Sequence, residues 1–181
     1  WLNLVTNGIQ DVALAFEKGE PDILKRKPRP PGQPIFNRQM IRQTMLSGFY
    51  IGIVAFITYY YLHQYTDLAD FQARNLLLLL MVLFENMHAF SCRSETRSIF
   101  RIPLRSNPLL IISVVAAQSV HIISMFIPGI NTVLETEPVP FTTWLILLVV
   151  ASSLLVFDET AKFFHRRSSK KRKKKGRSAP S

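Results

Sequence analysis

Apolar residues gather in blocks along this chain, and the blocks set its expected elements. Four of them run at roughly 39–62, 75–92, 109–127 and 142–164, each near the ~20 residues that an α-helix needs to cross a bilayer core. A shorter apolar stretch, Trp1 to Phe16, opens the chain and differs from the rest. It carries Asn3, Thr6 and Asn7 at spacings of three and four residues, with Asp11 one turn beyond Asn7. On an α-helix such spacings bring side chains to one face. Polar oxygens inside a membrane helix usually mark a pathway or a site. The block ends carry their own signals: Tyr59, Tyr60, Tyr61 and His63 close the first, and Pro128-Gly129 closes the third. Aromatic rings favour the membrane–water interface, and Pro-Gly stops a helix.

The expected fold is therefore all-α: a polytopic membrane helix bundle of one partial helix (1–16) and four full transmembrane helices, followed by a basic disordered tail. Residues 1–165 form the transmembrane domain and 166–181 the tail. The connector Pro28 to Pro34 is proline-rich and expected to be extended.

Loop charges orient the bundle. The stretches 18–42 and 93–107 hold Lys18, Lys25, Arg26, Lys27, Arg29, Arg38 and Arg42, and Arg93, Arg97, Arg101 and Arg105. The loops 63–73 and 128–141 hold Asp67, Asp70, Glu135 and Glu137 but no Lys or Arg. The positive-inside rule then puts 18–42, 93–107 and the tail in the cytoplasm. The expected localisation is integral membrane, multi-pass.

Composition narrows the function classes. The net charge of +10 is concentrated in the tail, where nine of the 22 basic residues lie between Arg166 and Arg177. Such a cluster beside a membrane helix reads as contact with anionic lipid headgroups, and nucleic acid is a poor fit. Arg166-Arg167-Ser168-Ser169 is also a candidate phosphorylation sequence that would weaken lipid contact. The single cysteine, Cys92, excludes an internal disulfide framework. No basic leader of a cleaved signal peptide precedes the first apolar stretch, and Trp1 is expected to lie inside a longer gene product.

Specific residues carry a family likeness. Asn3-Leu-Val-Thr6-Asn7-Gly8, Ala13-Leu-Ala-Phe-Glu17, Pro21-Asp-Ile-Leu-Lys-Arg26 and Pro28-Arg-Pro30 resemble the sixth membrane helix and following loop of P2-type cation-transporting P-type ATPases. That group includes calcium pumps and the sodium–potassium pump. Phe84-Glu85-Asn86, Cys92-Arg93-Ser94 and Ser98-Ile-Phe100 resemble the eighth helix and its exit. Phe157-Asp158-Glu159 with Lys162-Phe163 resembles the end of the tenth.

The resemblance implies the ion-binding and translocation module of an ATP-driven pump, helices six to ten. ATP, Mg2+ and the phosphorylated Asp would then belong to other parts of the same polypeptide. No Asp-Lys-Thr-Gly-Thr motif occurs here, so no catalytic residue is assigned. By the same likeness Asn3, Thr6, Asn7 and Glu85 are ligands of the transported cation, with Asp11 a further candidate. Hard cations want such oxygen ligands, and a carboxylate at the depth of Glu85 needs a cation, a proton or a partner. Gly8 is expected to loosen the helix and free backbone carbonyls. Calcium pumps carry Asp where this chain has Asn7. The loss of that charge favours one divalent ion, monovalent ions or protons over two Ca2+.

Bland readings stand beside these. Asn and Thr in membrane helices often only bond neighbouring helices, and Asp11 serves equally as a cap or a partner of the loop. Gln118 and His121 read as helix–helix hydrogen bonding, His88 and Cys92 as packing, and Asp158, Glu159 and Lys162 as interfacial charge pairing. The rival function is a non-enzymatic membrane anchor or regulatory subunit. A secondary transporter is disfavoured, because no internal repeat is visible.

Overall fold

The computed structural model describes residues 1–19, Gly32 and 37–177, with side chains through Ser168. Apart from Gly32, the Pro28–Pro34 connector lies outside the described residues, as does most of the basic loop before it. A π-helical turn, Asn3–Asn7, leads into α1 (Gly8–Ala15). Then come α2 (Arg38–Tyr65), α3 (Asp70–Ser91), α4 (Pro108–Ser124), the short α5 (Ile130–Leu134) and α6 (Phe141–Arg177). No strand occurs among the described residues. The all-α membrane bundle expected from the apolar blocks is the fold observed.

Three helices, Arg38–Tyr65, Asp70–Ser91 and Phe141–Ser168, are long and apolar enough to cross a membrane, and Pro108–Ser124 is a shorter apolar helix of 17 residues. α4 stops at Ser124 rather than near 127, because Pro128 would place its ring against the carbonyl of Ser124. Asn107 caps its start by accepting from the Leu110 N–H at 3.1 Å, with Pro108 in the first turn, where its missing N–H costs nothing. α3 begins five residues before the apolar block does. Its first turn is polar, and Gln72 accepts from the Ala69 N–H at 3.1 Å. Between α4 and α6, Gly129 holds φ 91°, which only glycine adopts freely, and turns the chain into α5.

α3 is the hub, packing on α6, α2, α4 and α1. Leu79, Leu80, Leu83 and Phe84 of α3 meet Leu147, Ala151 and Leu154 of α6 in the main core. Ala151 is the small residue that lets the two helices approach. Tyr50 of α2 joins them, stacked on Phe157 at 4.3 Å between centroids and donating to Ser153 Oγ at 2.7 Å. The outer face of α2 carries Met45, Phe49, Ile53 and Phe56 exposed, an apolar surface suited to lipid or further helices.

The tail departs from expectation. Its backbone continues the helix of α6 to Arg177 instead of leaving it as a disordered segment. Lys and Arg are good helix formers, and a chain leaving a formed helix escapes the cost of nucleation.

Candidate cation site

The opening turn is wound wider than an α-helix, with the Gly8 N–H donating to the Asn3 carbonyl five residues back. That widening redistributes the polar residues. Asn3 and Asn7 stay aligned, Asn7 Nδ2 donating to Asn3 Oδ1 at 2.9 Å, and Asp11 follows one α-helical turn later on the exposed side. Thr6 turns inward: it is fully buried, and its hydroxyl donates to the Leu2 carbonyl at 2.6 Å. The single face expected for Asn3, Thr6 and Asn7 is thus split in two. Gly8 does not break the helix. A Cβ there would meet Asn3 O at an ordinary 3.6 Å, so the local irregularity is a π turn rather than an unwound segment.

The inward side holds residues that periodicity did not single out. Gln10 is buried one turn below Thr6 and donates to Asn86 Oδ1 of α3 at 2.6 Å. Asn86 in turn donates to Gln118 Oε1 of α4 at 3.0 Å. One turn further along α4, His121 is buried and accepts from the Trp1 indole N–H at 3.1 Å. The helix–helix role expected for Gln118 and His121 is the one they play. Only the tertiary fold gives Gln10 its partner, since a lone Gln at the end of a polar stripe looks no different from its neighbours.

Glu85 is half-buried on α3, next to Asn86, and accepts no hydrogen bond among the described residues. Asp11 of α1 and His88 of α3 lie within electrostatic range of its carboxylate. Asn3, Asn7 and Asp11 thus lie along the outer side of the π turn and α1, Asp11 is within electrostatic range of Glu85 on α3, and Thr6 is on the buried side. These oxygens suit a hard cation.

Below this region α1 is anchored by an ion pair. Arg93 holds Glu17 with both carboxylate oxygens, Nε to Oε2 and Nη2 to Oε1 each at 2.9 Å, and also reaches Ser106 Oγ at 2.6 Å. Asn107 donates to Glu17 Oε2 at 3.0 Å and to the Ala13 carbonyl at 2.9 Å. Burial pushes the Glu17 carboxyl up, but the hydrogen bonds from Arg93 and Asn107 and the guanidinium charge outweigh it and hold it below its ordinary value. The sequence showed Arg93 as a loop charge and as part of the Cys92-Arg93-Ser94 motif, but not its partner Glu17.

A second polar cluster joins α2, α3 and α6. Asp158 is 6% exposed, accepts from Ser47 Oγ at 2.7 Å and faces His88 Nδ1 at 3.6 Å. Lys162, 5% exposed, donates to the Ser91 carbonyl at 2.9 Å and lies 3.6 Å from Glu159. A cavity of about 250 Å³ opens beside them, lined in part by Ser47, His88, Ser91 and Asp158. Glu159 and Lys162 pair as expected, Asp158 and Lys162 are also buried against α2 and α3, and His88 does more than pack. Cys92 is exposed.

Helices long and apolar enough to cross a membrane, joined by buried polar bonds, define an integral membrane helix bundle. The sequence matches the family described as "Cation transporting ATPase, C-terminus" over residues 1–164, and the chain belongs to that family, the C-terminal membrane region of P-type ATPases. It is 28% identical over 147 residues to a calcium-transporting ATPase of Bacillus subtilis, covering 81% of this chain and 16% of the relative. It is 32% identical over 146 residues to a probable cation-transporting ATPase F of Mycobacterium tuberculosis, covering 80% and 16%. An endoplasmic reticulum calcium ATPase of Aspergillus fumigatus is 23% identical over 174 residues, at 80% and 18%. The chain thus spans about a sixth of the length of these relatives.

Proposed function

We propose that this domain binds and passes the transported cation of an ATP-driven pump, with ATP, Mg2+ and the phosphorylated Asp supplied by the rest of the same polypeptide. The observation that carries the reading is the row of Asn3, Asn7 and Asp11 along the outer side of the π turn and α1, with Asp11 in electrostatic range of the half-buried Glu85 of α3. Thr6 lies on the buried side of the same turn. Its hydroxyl hydrogen is engaged by Leu2 O, which leaves its oxygen lone pairs for a ligand.

The ion follows from charge. With Asn7 in place of a carboxylate, the cluster offers two acids, Asp11 and Glu85. Two carboxylates balance one divalent ion or two monovalent ions, not a pair of Ca2+. In this reading the basic loops 18–42 and 93–107 and the C-terminal tail face the cytoplasm, and Arg93–Glu17 anchors α1 at that face. A stand-alone anchor or regulatory subunit would account for the apolar helices but leaves Glu85 and the asparagine pair without a purpose.

The test uses the full-length protein in sealed vesicles, with ATP hydrolysis measured across a panel of Ca2+, Mn2+, Na+, K+ and pH. Glu85→Ala and Asn7→Ala are each expected to weaken cation stimulation by tenfold or more, as about 1.4 kcal/mol of lost ligand energy implies. Unchanged cation dependence in both variants would remove these residues from the site.

A further inference from the structure

At the start of the basic run of α6 three guanidinium groups line one cavity. Arg101, from the α3–α4 connector, and Arg166 and Arg167, from α6, line a surface cavity of about 320 Å³ together with Phe163. Among the described residues no acidic side chain lines it. The connector is held there by two bonds to α6. The Ile99 N–H donates to Glu159 Oε1 at 3.0 Å, and Arg166 Nη1 donates to the Thr96 carbonyl at 3.2 Å. Ile99 opens the short 3-10 turn Ile99–Arg101, so the first of these bonds also aims Arg101 toward α6. Glu159, two turns before Arg166 on α6, is engaged by Ile99 and Lys162. Among the described residues Arg101 and Arg167 form no ion pair.

The cavity lies on α6 where its apolar stretch, ending in Phe163-Phe164, gives way to the basic run that begins at His165-Arg166. Phe163 and Phe164 are exposed on the apolar side of that boundary. A ligand here meets guanidinium donors on one side and aromatic rings facing hydrocarbon on the other. Arginine forks match phosphate oxygens in geometry as well as charge.

We propose that Arg101, Arg166, Arg167 and Phe163 form a headgroup site for one anionic phospholipid of the adjoining leaflet, its phosphate held by the arginines and its acyl chains against Phe163 and Phe164. This differs from diffuse attraction of the lysine-rich tail to a charged surface. The site takes a residue from the α3–α4 connector, and it binds a lipid through a pinned contact between two elements. The bound lipid then bridges the connector to α6. The site does not depend on which ion the bundle carries.

The experiment compares full-length protein variants by native mass spectrometry after purification with phosphatidylglycerol or phosphatidylcholine. Arg101→Gln with Arg167→Gln spares Arg166 and its bond to Thr96. The pair is expected to reduce retention of one phosphatidylglycerol by more than about tenfold, since each basic group near the surface contributes on the order of a fivefold factor. Phosphatidylcholine retention is expected to stay unchanged. A control with Lys170, Lys171 and Lys173 each changed to Gln removes tail charge and is expected to keep that lipid. Arg101→Lys with Arg167→Lys retains charge without the fork and is expected to fall between. Competing inorganic phosphate is expected not to displace the lipid, because it lacks the contact with Phe163 and Phe164. Equal retention in the Arg101/Arg167 variant and the parent overturns the proposal, as does loss in the tail variant alone. Displacement by inorganic phosphate assigns the cavity to free phosphate instead.

Discussion

Gln10 on α1 donates a 2.6 Å hydrogen bond to Asn86 on α3, the residue next to Glu85. Asn86 passes the chain of bonds on to Gln118 of α4, so three helices are keyed together one position away from the proposed cation ligand. An amide pair buried in an apolar bundle has no water to fall back on, which makes its register informative about how α1 and α3 are rotated.

Replacing Gln10 with Ala removes the donor and leaves the Asn86 oxygen buried. The expected loss is about 1 kcal/mol, between the ~0.6 kcal/mol average for interhelical bonds in membranes and the ~1–3 kcal/mol cost of a buried unpaired group. Asn86→Leu loses both of its bonds and is expected to cost more. Unfolding midpoints of the full-length protein in detergent read both effects. Cation stimulation read in parallel should weaken most in Asn86→Leu, because that residue adjoins Glu85.

Asn7→Asp places a carboxylate beside Asn3 Oδ1, which now accepts from the Asn7 amide. In the proposed site this raises the preference for divalent over monovalent ions. A tenfold or larger gain in apparent Ca2+ affinity corresponds to about 1.4 kcal/mol, well within what one added ligand charge supplies. Ca2+-dependent ATP hydrolysis in vesicles measures it; an unchanged ion preference would separate Asn7 from the ion.

Asp158 is expected to be among the least replaceable residues of α6. Asp158→Ala strands Ser47 and His88 at a buried junction and leaves the nearby Lys162 charge less well compensated. Breaking a buried charged cluster on one side costs on the order of 3–5 kcal/mol. Asp158→Asn keeps an oxygen for the Ser47 hydroxyl and should cost markedly less. The two variants should therefore differ in the yield of folded protein from membranes, and equal yields would show the cluster to be dispensable.

The Glu17–Arg93 pair makes stability depend on pH in a definite direction. The folded carboxyl lies below its ordinary value of 4.5, so the pair's contribution is complete above that pH and is lost as pH falls through the lower, folded value. Near neutral pH the pair should contribute no slope, with loss setting in as pH approaches 4.5 and continuing down through the folded value. Glu17→Gln should flatten that acid limb of the unfolding midpoint against pH, while Arg93→Leu should lower stability at neutral pH by roughly 3–5 kcal/mol, since it leaves a partly buried carboxylate unpaired.

How much of this was legible beforehand differs by element. The four apolar blocks announced α2, α3, α4 and α6, because crossing a bilayer demands some twenty apolar residues in a row and few other structures do. Helix ends were read less well. α3 starts at Asp70 because its polar first turn is stabilised by contacts with the α5–α6 segment, Gln72 to Glu137 at 2.8 Å and Arg74 to Glu135 at 3.0 Å, and no local pattern signals those partners. The short α5 and the helical course of the tail were missed for a related reason: five residues carry too little period, and a lysine-rich run has no apolar face to read.

The candidate site divides along the same line. Asn3, Asn7, Asp11 and Glu85 stood out by sequence alone, since polar and acidic groups are conspicuous against an apolar background, and the motif around them carried the family. Which way each side chain turns was a tertiary matter. The π turn swung Thr6 inward and left the two asparagines bonded outside, and only helix packing made partners of Gln10 and Asn86, or buried Arg93 and Asp158 among theirs. Sequence by itself determined the class of protein, because bilayer thickness and the cost of buried charge act on composition and length. The tertiary structure decided the pairing, because a hydrogen bond depends on a distance and an angle between residues 76 or more positions apart.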